Sequence, residues 1–162
     1  VEWELVRLTN ELRADPSGHL RRLGARPTCV DDPFHAITID GSTGHPFPSP
    51  ALAVDATVSV EMARDWATRM FRTGLFTHRP ASAQRQVYRS LALNPLAWGE
   101  NIAWAAGYPA EEVARVHFEG WRESDDGHYC SLLSPRFTQV GAGEVRVEGQ
   151  SWAVLNFYHP AN

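Results

Sequence analysis

Trp98-Gly99-Glu100-Asn101-Ile102-Ala103-Trp104 is the stretch on which the reading of this chain turns. Apolar and aromatic residues surround one carboxylate, and the run reads as a strand over 98–105. An ionised carboxylate in such surroundings is costly unless a partner or a metal compensates it. Two histidines stand on either side of it in sequence: His78 in Phe76-Thr77-His78-Arg79 and His128 in Asp126-Gly127-His128-Tyr129. One acid with two histidines supplies either a metal site or a site that moves protons.

Before this strand, Val1, Leu5, Leu8 and Leu12 recur at helical spacing, which predicts an amphipathic first helix closed by Asp15-Pro16. Ser17 to Leu23 predicts a further short helical turn. Residues 24–50 are rich in Pro, Gly, Asp and Thr and read as an irregular insertion with one short strand, His35 to Ile39. Asp55 is placed as a helix N-cap; Val58, Met62, Trp66 and Met70 follow at four-residue spacing, and Gly74 ends that helix just before His78. A weaker helical patch covers 82–92.

Beyond the strand, Pro109 opens a helix with Glu111 and Glu112 in its first turn. Phe137 to Glu148 and Ser151 to Tyr158 alternate as strands around a turn at Glu148-Gly149-Gln150. Helices first, then strand, helix and a closing hairpin predict an α+β fold.

Hydrophobic residues at 43% and charged residues at 21% describe an ordinary globular chain, and 162 residues suffice for one domain with a sizeable core, 1–162. A net charge of −4 gives no argument for nucleic acid or an anionic membrane as partner. No apolar run reaches the length of a transmembrane segment. The chain opens at Val1 on a helical pattern, without an initiator Met or signal peptide, which fits a processed product and an arbitrary boundary alike.

The two cysteines, Cys29 and Cys130, admit a disulfide, two buried thiols or a catalytic Cys130. The disulfide would suit an oxidising compartment, tie the insertion to the cleft rim and contribute roughly 2–4 kcal/mol. On an extended segment His128 and Cys130 would share a face. Trp98, Trp104, Trp121 and Trp152 read as core, with one or two free to line a cleft. His19, His35, His45, His117 and His159 are given no chemical role.

Several of these motifs, in order, resemble the CAP superfamily (cysteine-rich secretory, antigen 5 and pathogenesis-related 1 proteins, also called SCP-like), and most closely its bacterial single-domain members. Leu5 to Leu12 resembles the family's first helix, and Leu52 to His78 its second helix with a Phe-Ser/Thr-His loop. Gly99-Glu100-Asn101-Ile102 is the most specific match. Tyr108 to Val113, Trp121 to His128, Phe137 to Gly143 and Trp152 to Phe157 follow in family order.

The resemblance implies a three-layer α-β-α sandwich with a central antiparallel sheet and a large cleft. Its histidines transfer to His78 and His128, and its first acid to Glu100. The second acid of many animal and plant members falls on Ser124, with Glu123 one place earlier, so a mechanism that needs both acids lacks one here. Some members hold a divalent ion, often zinc, through the two histidines, which makes His78 and His128 the candidate metal ligands. Glu100 would orient a histidine or act as a base.

Two functions follow from the resemblance. One is a secreted or cell-envelope binding module whose cleft takes a small ligand, a lipid or a peptide. The other is a metal-assisted, protease-like hydrolase with Glu100 or Glu123 handling the proton. Ser124 would be a nucleophile only near His128, and no Gly-x-Ser-x-Gly elbow surrounds it.

Overall fold

The structure, a computed structural model, describes residues 1–23, 34–124 and 127–161. Its elements in chain order are α1 (Glu2–Ala14), α2 (Pro16–Leu23), β1 (Ile39–Asp40), β2 (His45–Pro46), β3 (Ala53–Val54), α3 (Ala56–Val58), a π-helical stretch (Ser59–Arg64), α4 (Asp65–Thr73), α5 (Ala81–Ser90), β4 (Pro95–Ala106), α6 (Ala110–Glu123), α7 (His128–Leu133), β5 (Gln139–Val147) and β6 (Gln150–Pro160).

The main sheet runs β3-β5-β6-β4. Its three long strands are antiparallel, and the two-residue β3 adds a parallel edge against β5. Glu148 and Gly149 close the β5–β6 hairpin with φ of 50° and 77°, the left-handed pair that a two-residue turn of this twist requires. β6 is the middle of the three long strands, and all eight residues from Ser151 to Tyr158 are buried. Its Ala153, Leu155 and Phe157 face one helical layer with Leu5, Leu12, Phe118, Trp121 and Leu132. Trp152 and Val154 face the other with Trp66 and Met70, as does Tyr158 with Met62 and Tyr88. The alternation of β6 therefore separates two apolar faces rather than core from solvent. This is the α-β-α sandwich.

The second layer lies directly on the sheet. Asp55 caps its start, accepting from Thr57 N and Val58 N at 2.8 and 3.0 Å and from the Tyr158 hydroxyl at 2.5 Å. The backbone then passes so near β5 that a Cβ on Gly141 would come 2.5 Å from Val58 Cγ1, and one on Gly143 would come 2.1 Å from Arg64 N. Val58, Met62, Trp66 and Met70 are all buried. Four-residue spacing over three steps drifts around an α-helix of 3.6 residues per turn; the wider π stretch takes up part of that drift.

Two polar side chains of α1 fasten the first layer. Asn10 holds Leu52 through both its backbone N and O. Arg13 is fully buried and donates to four carbonyls, of Pro50, Leu132, Ser134 and Phe137. Burial lowers its guanidinium to about 10, so it remains charged at neutral pH.

Three expectations change. The strand predicted at His35 to Ile39 is instead the small β1–β2 hairpin pairing Ile39 with Pro46; residues 24–33 of the insertion, Cys29 included, lie outside the described residues. His128 opens a helix rather than an extended segment, so His128 and Cys130 point about 200° apart around it and share no face. Ser151 to Tyr158 is buried on both sides for the reason just given.

Candidate functional site

β4 is an edge strand, and the site lies along its open side. Trp121 Nε1 donates to Ile102 O at 2.7 Å, which ties α6 to that edge. Glu100 points to the face of the second layer, in register with Asn156 of β6. Its side chain is 2% exposed. Both carboxylate oxygens are engaged: Oε1 accepts from His78 Nδ1 and from Arg79 N, each at 3.0 Å, and Oε2 accepts from Asn156 Nδ2 at 3.1 Å. These bonds answer the cost of burying the charge.

His78 reaches Glu100 from the loop after Gly74, which takes φ 67° to end α4. Trp66 Nε1 holds this loop at Thr77 O, 2.9 Å away. Buried Arg79 holds it too, through Met62 O and the Asp65 carboxylate, with its guanidinium over the Trp66 ring. A carboxylate only accepts, so the hydrogen-bond network assigns the His78 proton to Nδ1. The half-exposed ring then offers the Nε2 lone pair outward.

His128 arrives from the opposite layer. Gly127, at φ 84°, turns the chain into α7. His128 O accepts from Asn101 Nδ2 at 3.0 Å, and its Nδ1 lies 2.8 Å from Ser124 Oγ. The His78 and His128 rings stack with centroids 5.7 Å apart and planes 24° from parallel. The three residues singled out in the sequence thus meet at one sheet edge.

Beside them is an open hollow of about 210 Å3, walled by Phe76, Trp104, Gly120, Trp121, Ser124 and His128. Trp104 is 51% exposed and hydrogen-bonds Gln150 Oε1, so of the four tryptophans it is the one turned to the cleft mouth. Trp121 and Trp152 are buried. Glu123 does not join the pair: its carboxylate is exposed and bonded to Arg122 at 2.9 Å. Ser124, the α6 C-cap, does join it, as the hydrogen-bond partner of His128. Asp125 and Asp126 lie outside the described residues.

The fit to a divalent ion can be tested on the rings. With a metal–nitrogen bond of about 2.1 Å, a ring centroid lies roughly 3.2 Å from the ion, so two ligating rings stand at most about 6.4 Å apart. The observed 5.7 Å falls inside that limit. Coordination through Nε2 of each ring keeps the Glu100 bond, and on His128 it requires Nδ1–H to donate to Ser124 Oγ. No group of three or more His, Cys, Asp or Glu able to hold a metal occurs among the described residues. The spacing thus satisfies the distance condition for an open two-imidazole site, and Glu100 stands behind His78 rather than at the ion's position.

Ser124, on which the family's second acid falls in the sequence reading, takes up His128 Nδ1. Two residues of the network escape the sequence. Asn156 carries a readable signal, being the one amide in the apolar run Trp152 to Tyr158. Arg79 carries none; its role arises only when the loop after α4 meets β4. A third, His117, has no chemical role in the sequence reading. It is buried on α6, and its Nε2 is 2.7 Å from Ser151 Oγ, which donates onward to Glu144 Oε1 at 2.7 Å. Since Ser151 gives its proton to Glu144, His117 must donate Nε2–H, which leaves Nδ1 as an acceptor. Burial pulls this imidazole down to about 4.

The sandwich, the Gly-Glu-Asn-Ile strand and the two convergent histidines define a CAP domain. The chain matches the model of the cysteine-rich secretory protein family, CAP, over residues 6–157, and it belongs to that family. Among solved structures it is similar to an extracellular SCP-domain protein of Bacillus anthracis str. Ames, at 26% identity and a TM-score of 0.52 over 68% of this chain and 34% of that one. It is also similar to a cysteine-rich secretory protein of Staphylococcus aureus subsp. aureus Mu50, at 14% identity and a TM-score of 0.54 over 98% and 38% of the two chains. NaASP2, in a crystal structure with Zn2+, gives 14% identity and a TM-score of 0.57 over 99% and 86%. The chain thus spans 34% and 38% of the lengths of the two bacterial proteins. No curated protein matches it. Among the described residues no helix is long and apolar enough to cross a membrane.

Proposed function

We propose that residues 1–162 form one CAP domain that acts outside the cytoplasm as a binding module. Its His78–Glu100–His128 cleft takes a small ligand, a lipid or a peptide. The observation that carries this reading is the pair of stacked imidazoles, one of them oriented by a buried carboxylate, beside an aromatic hollow. Glu100 fixes the His78 tautomer and leaves Nε2 facing outward; Ser124 bonds Nδ1 of His128, whose Nε2 is buried; Phe76 and Trp104 offer apolar faces to a bound group.

A divalent ion, zinc being the one that accompanies NaASP2, would be held by His78 and His128. Bound there, it would supply a Lewis-acid centre with positions left for water or ligand. The metal-assisted hydrolase has less support. It needs a carboxylate able to take a proton, whereas Glu100 has both oxygens engaged and Glu123 pairs with Arg122.

Zinc titration followed by calorimetry tests the site. One ion per chain is expected, with no binding to a His78→Ala/His128→Ala protein; equal binding by both proteins would remove the ligand assignment. Hydrolysis of generic peptide or ester substrates by the wild type, lost in the double variant, would restore the enzyme reading. We further propose that Cys29 pairs with Cys130, which is buried on α7. Thiol titration of the unfolded, unreduced protein should find no free thiol, and two would refute the bridge.

A further inference from the structure

From Trp66 to Gly99 the chain carries five arginines and no aspartate, glutamate or lysine. The overall charge of −4 hides this segregation. Arg79 is spent inside, on Asp65 and Met62 O. The other four, Arg69, Arg72, Arg85 and Arg89, are exposed, and among the described residues none of them pairs with a carboxylate. Arg69 and Arg85 lie over the rings of Trp66 and Trp98.

All four belong to one layer. α4 packs on Trp152 and Val154 of β6, and α5 packs with Tyr158, whose side chain leaves the same face of that strand. The arginines therefore stand on the outer surface of this layer. Of the exposed acids, Glu111, Glu112 and Glu123 are on α6, across the sheet, while Glu61 and Asp65 share the arginines' layer, Asp65 being paired with Arg79.

The same layer also exposes large apolar groups. Leu75 and Phe76, in the loop between α4 and α5, are 63% and 54% exposed. Phe76 and Trp104 both lean on Trp152. Unpaired arginines attract any polyanion. Exposed Leu, Phe and Trp beside them match an anionic bilayer, whose headgroups take the cations while its interface takes the aromatic and aliphatic tips.

We propose that the α4–α5 layer is a docking surface for an anionic lipid bilayer, reversible and peripheral, that brings the mouth of the His78–His128 cleft to the membrane. It stands whatever the cleft binds, because none of the four arginines lines the hollow.

Co-sedimentation of the whole chain with phosphatidylglycerol–phosphatidylcholine vesicles tests it. Wild type should bind these vesicles and not pure phosphatidylcholine, with binding falling as salt shortens the Debye length from about 14 Å to about 4 Å. Each arginine near an anionic surface is worth roughly fivefold, so Arg72→Glu/Arg89→Glu and, independently, Arg69→Gln/Arg85→Gln should each lower partitioning about 25-fold or more. Leu75→Ser should weaken it severalfold, and His78→Ala/His128→Ala should bind as wild type. Equal binding to neutral and anionic vesicles would overturn the proposal. So would loss of binding in the histidine variant alone. Unchanged binding by Leu75→Ser, with full competition by soluble dextran sulfate, would assign the surface to a polyanion instead.

Discussion

Acid should weaken this protein through His117, and the size of the effect can be worked out. The imidazole is 1% exposed, donates to Ser151 Oγ and has no opposite charge in contact among the described residues. Burial lowers it to about 4 from the ordinary 6.5. The unfolded chain therefore takes up a proton below pH 6.5 that the folded chain refuses until about pH 4. Stability from this group is intact above pH 6.5, drains away between 6.5 and 4, and changes no further once both states are protonated. Integrated, the loss is roughly 2 kcal/mol between pH 7 and pH 5, and roughly 3 kcal/mol by pH 4. Other groups titrate in the same range, so the measurement is a difference. Urea unfolding at several pH values is compared for wild type and His117→Gln, whose amide can still donate to Ser151. The variant should be less stable at pH 7 and should lose about 2 kcal/mol less on going to pH 5. Parallel pH dependences in the two proteins would refute the account.

Other substitutions read other parts of the structure. Arg13→Met strips four carbonyls, three of them in buried hydrogen bonds, of their donor and should cost more than about 3 kcal/mol in urea unfolding; a cost below about 1 would mean that water replaces the guanidinium. Glu100→Ala leaves three donors facing a void and should cost about 3 kcal/mol, while Glu100→Gln should recover most of it, because Oε1 still accepts from His78 and Arg79 as the Asn156 amide turns over. Both should reduce any zinc affinity by about 10–100-fold in titration calorimetry. Gly143→Ala drives a Cβ to 2.1 Å from Arg64 N and should lower the melting temperature by some 10 °C or more. Gly120→Ala, with nothing within 4 Å of the new carbon, should raise stability by about 0.5–1 kcal/mol through helix propensity.

The parts legible in the sequence are those that local chemistry dictates. Asp55 and Gly74 bound their helix because a cap oxygen and a left-handed residue are needed there. Glu148-Gly149 turns the hairpin for the same kind of reason. The motif around Glu100 pointed to a polar site in an apolar strand, and His78 and His128 do converge on it. What escaped depends on partners far away in the chain. The π stretch lies hard against Gly141 and Gly143, more than seventy residues on. The helical start at His128 and its bond to Ser124 depend on how α6 meets the β4 edge. The His117–Ser151–Glu144 chain joins a helix to two strands, and no pattern within α6 announces it. The local basic surface was masked because net charge sums over faces that never touch the same partner.

His78 and His128 come from opposite helical layers and meet only across the rim of β4. Whatever grips both rings at once acts as a rivet through the sandwich, and its hold is lost when either half comes loose. Occupancy must then be felt throughout the molecule: at a ligand concentration a hundred times its dissociation constant, unfolding becomes harder by about 2.7 kcal/mol. A simple melting curve, shifted upward by a compound that grips both rings and unmoved by one that does not, therefore makes the protein its own detector.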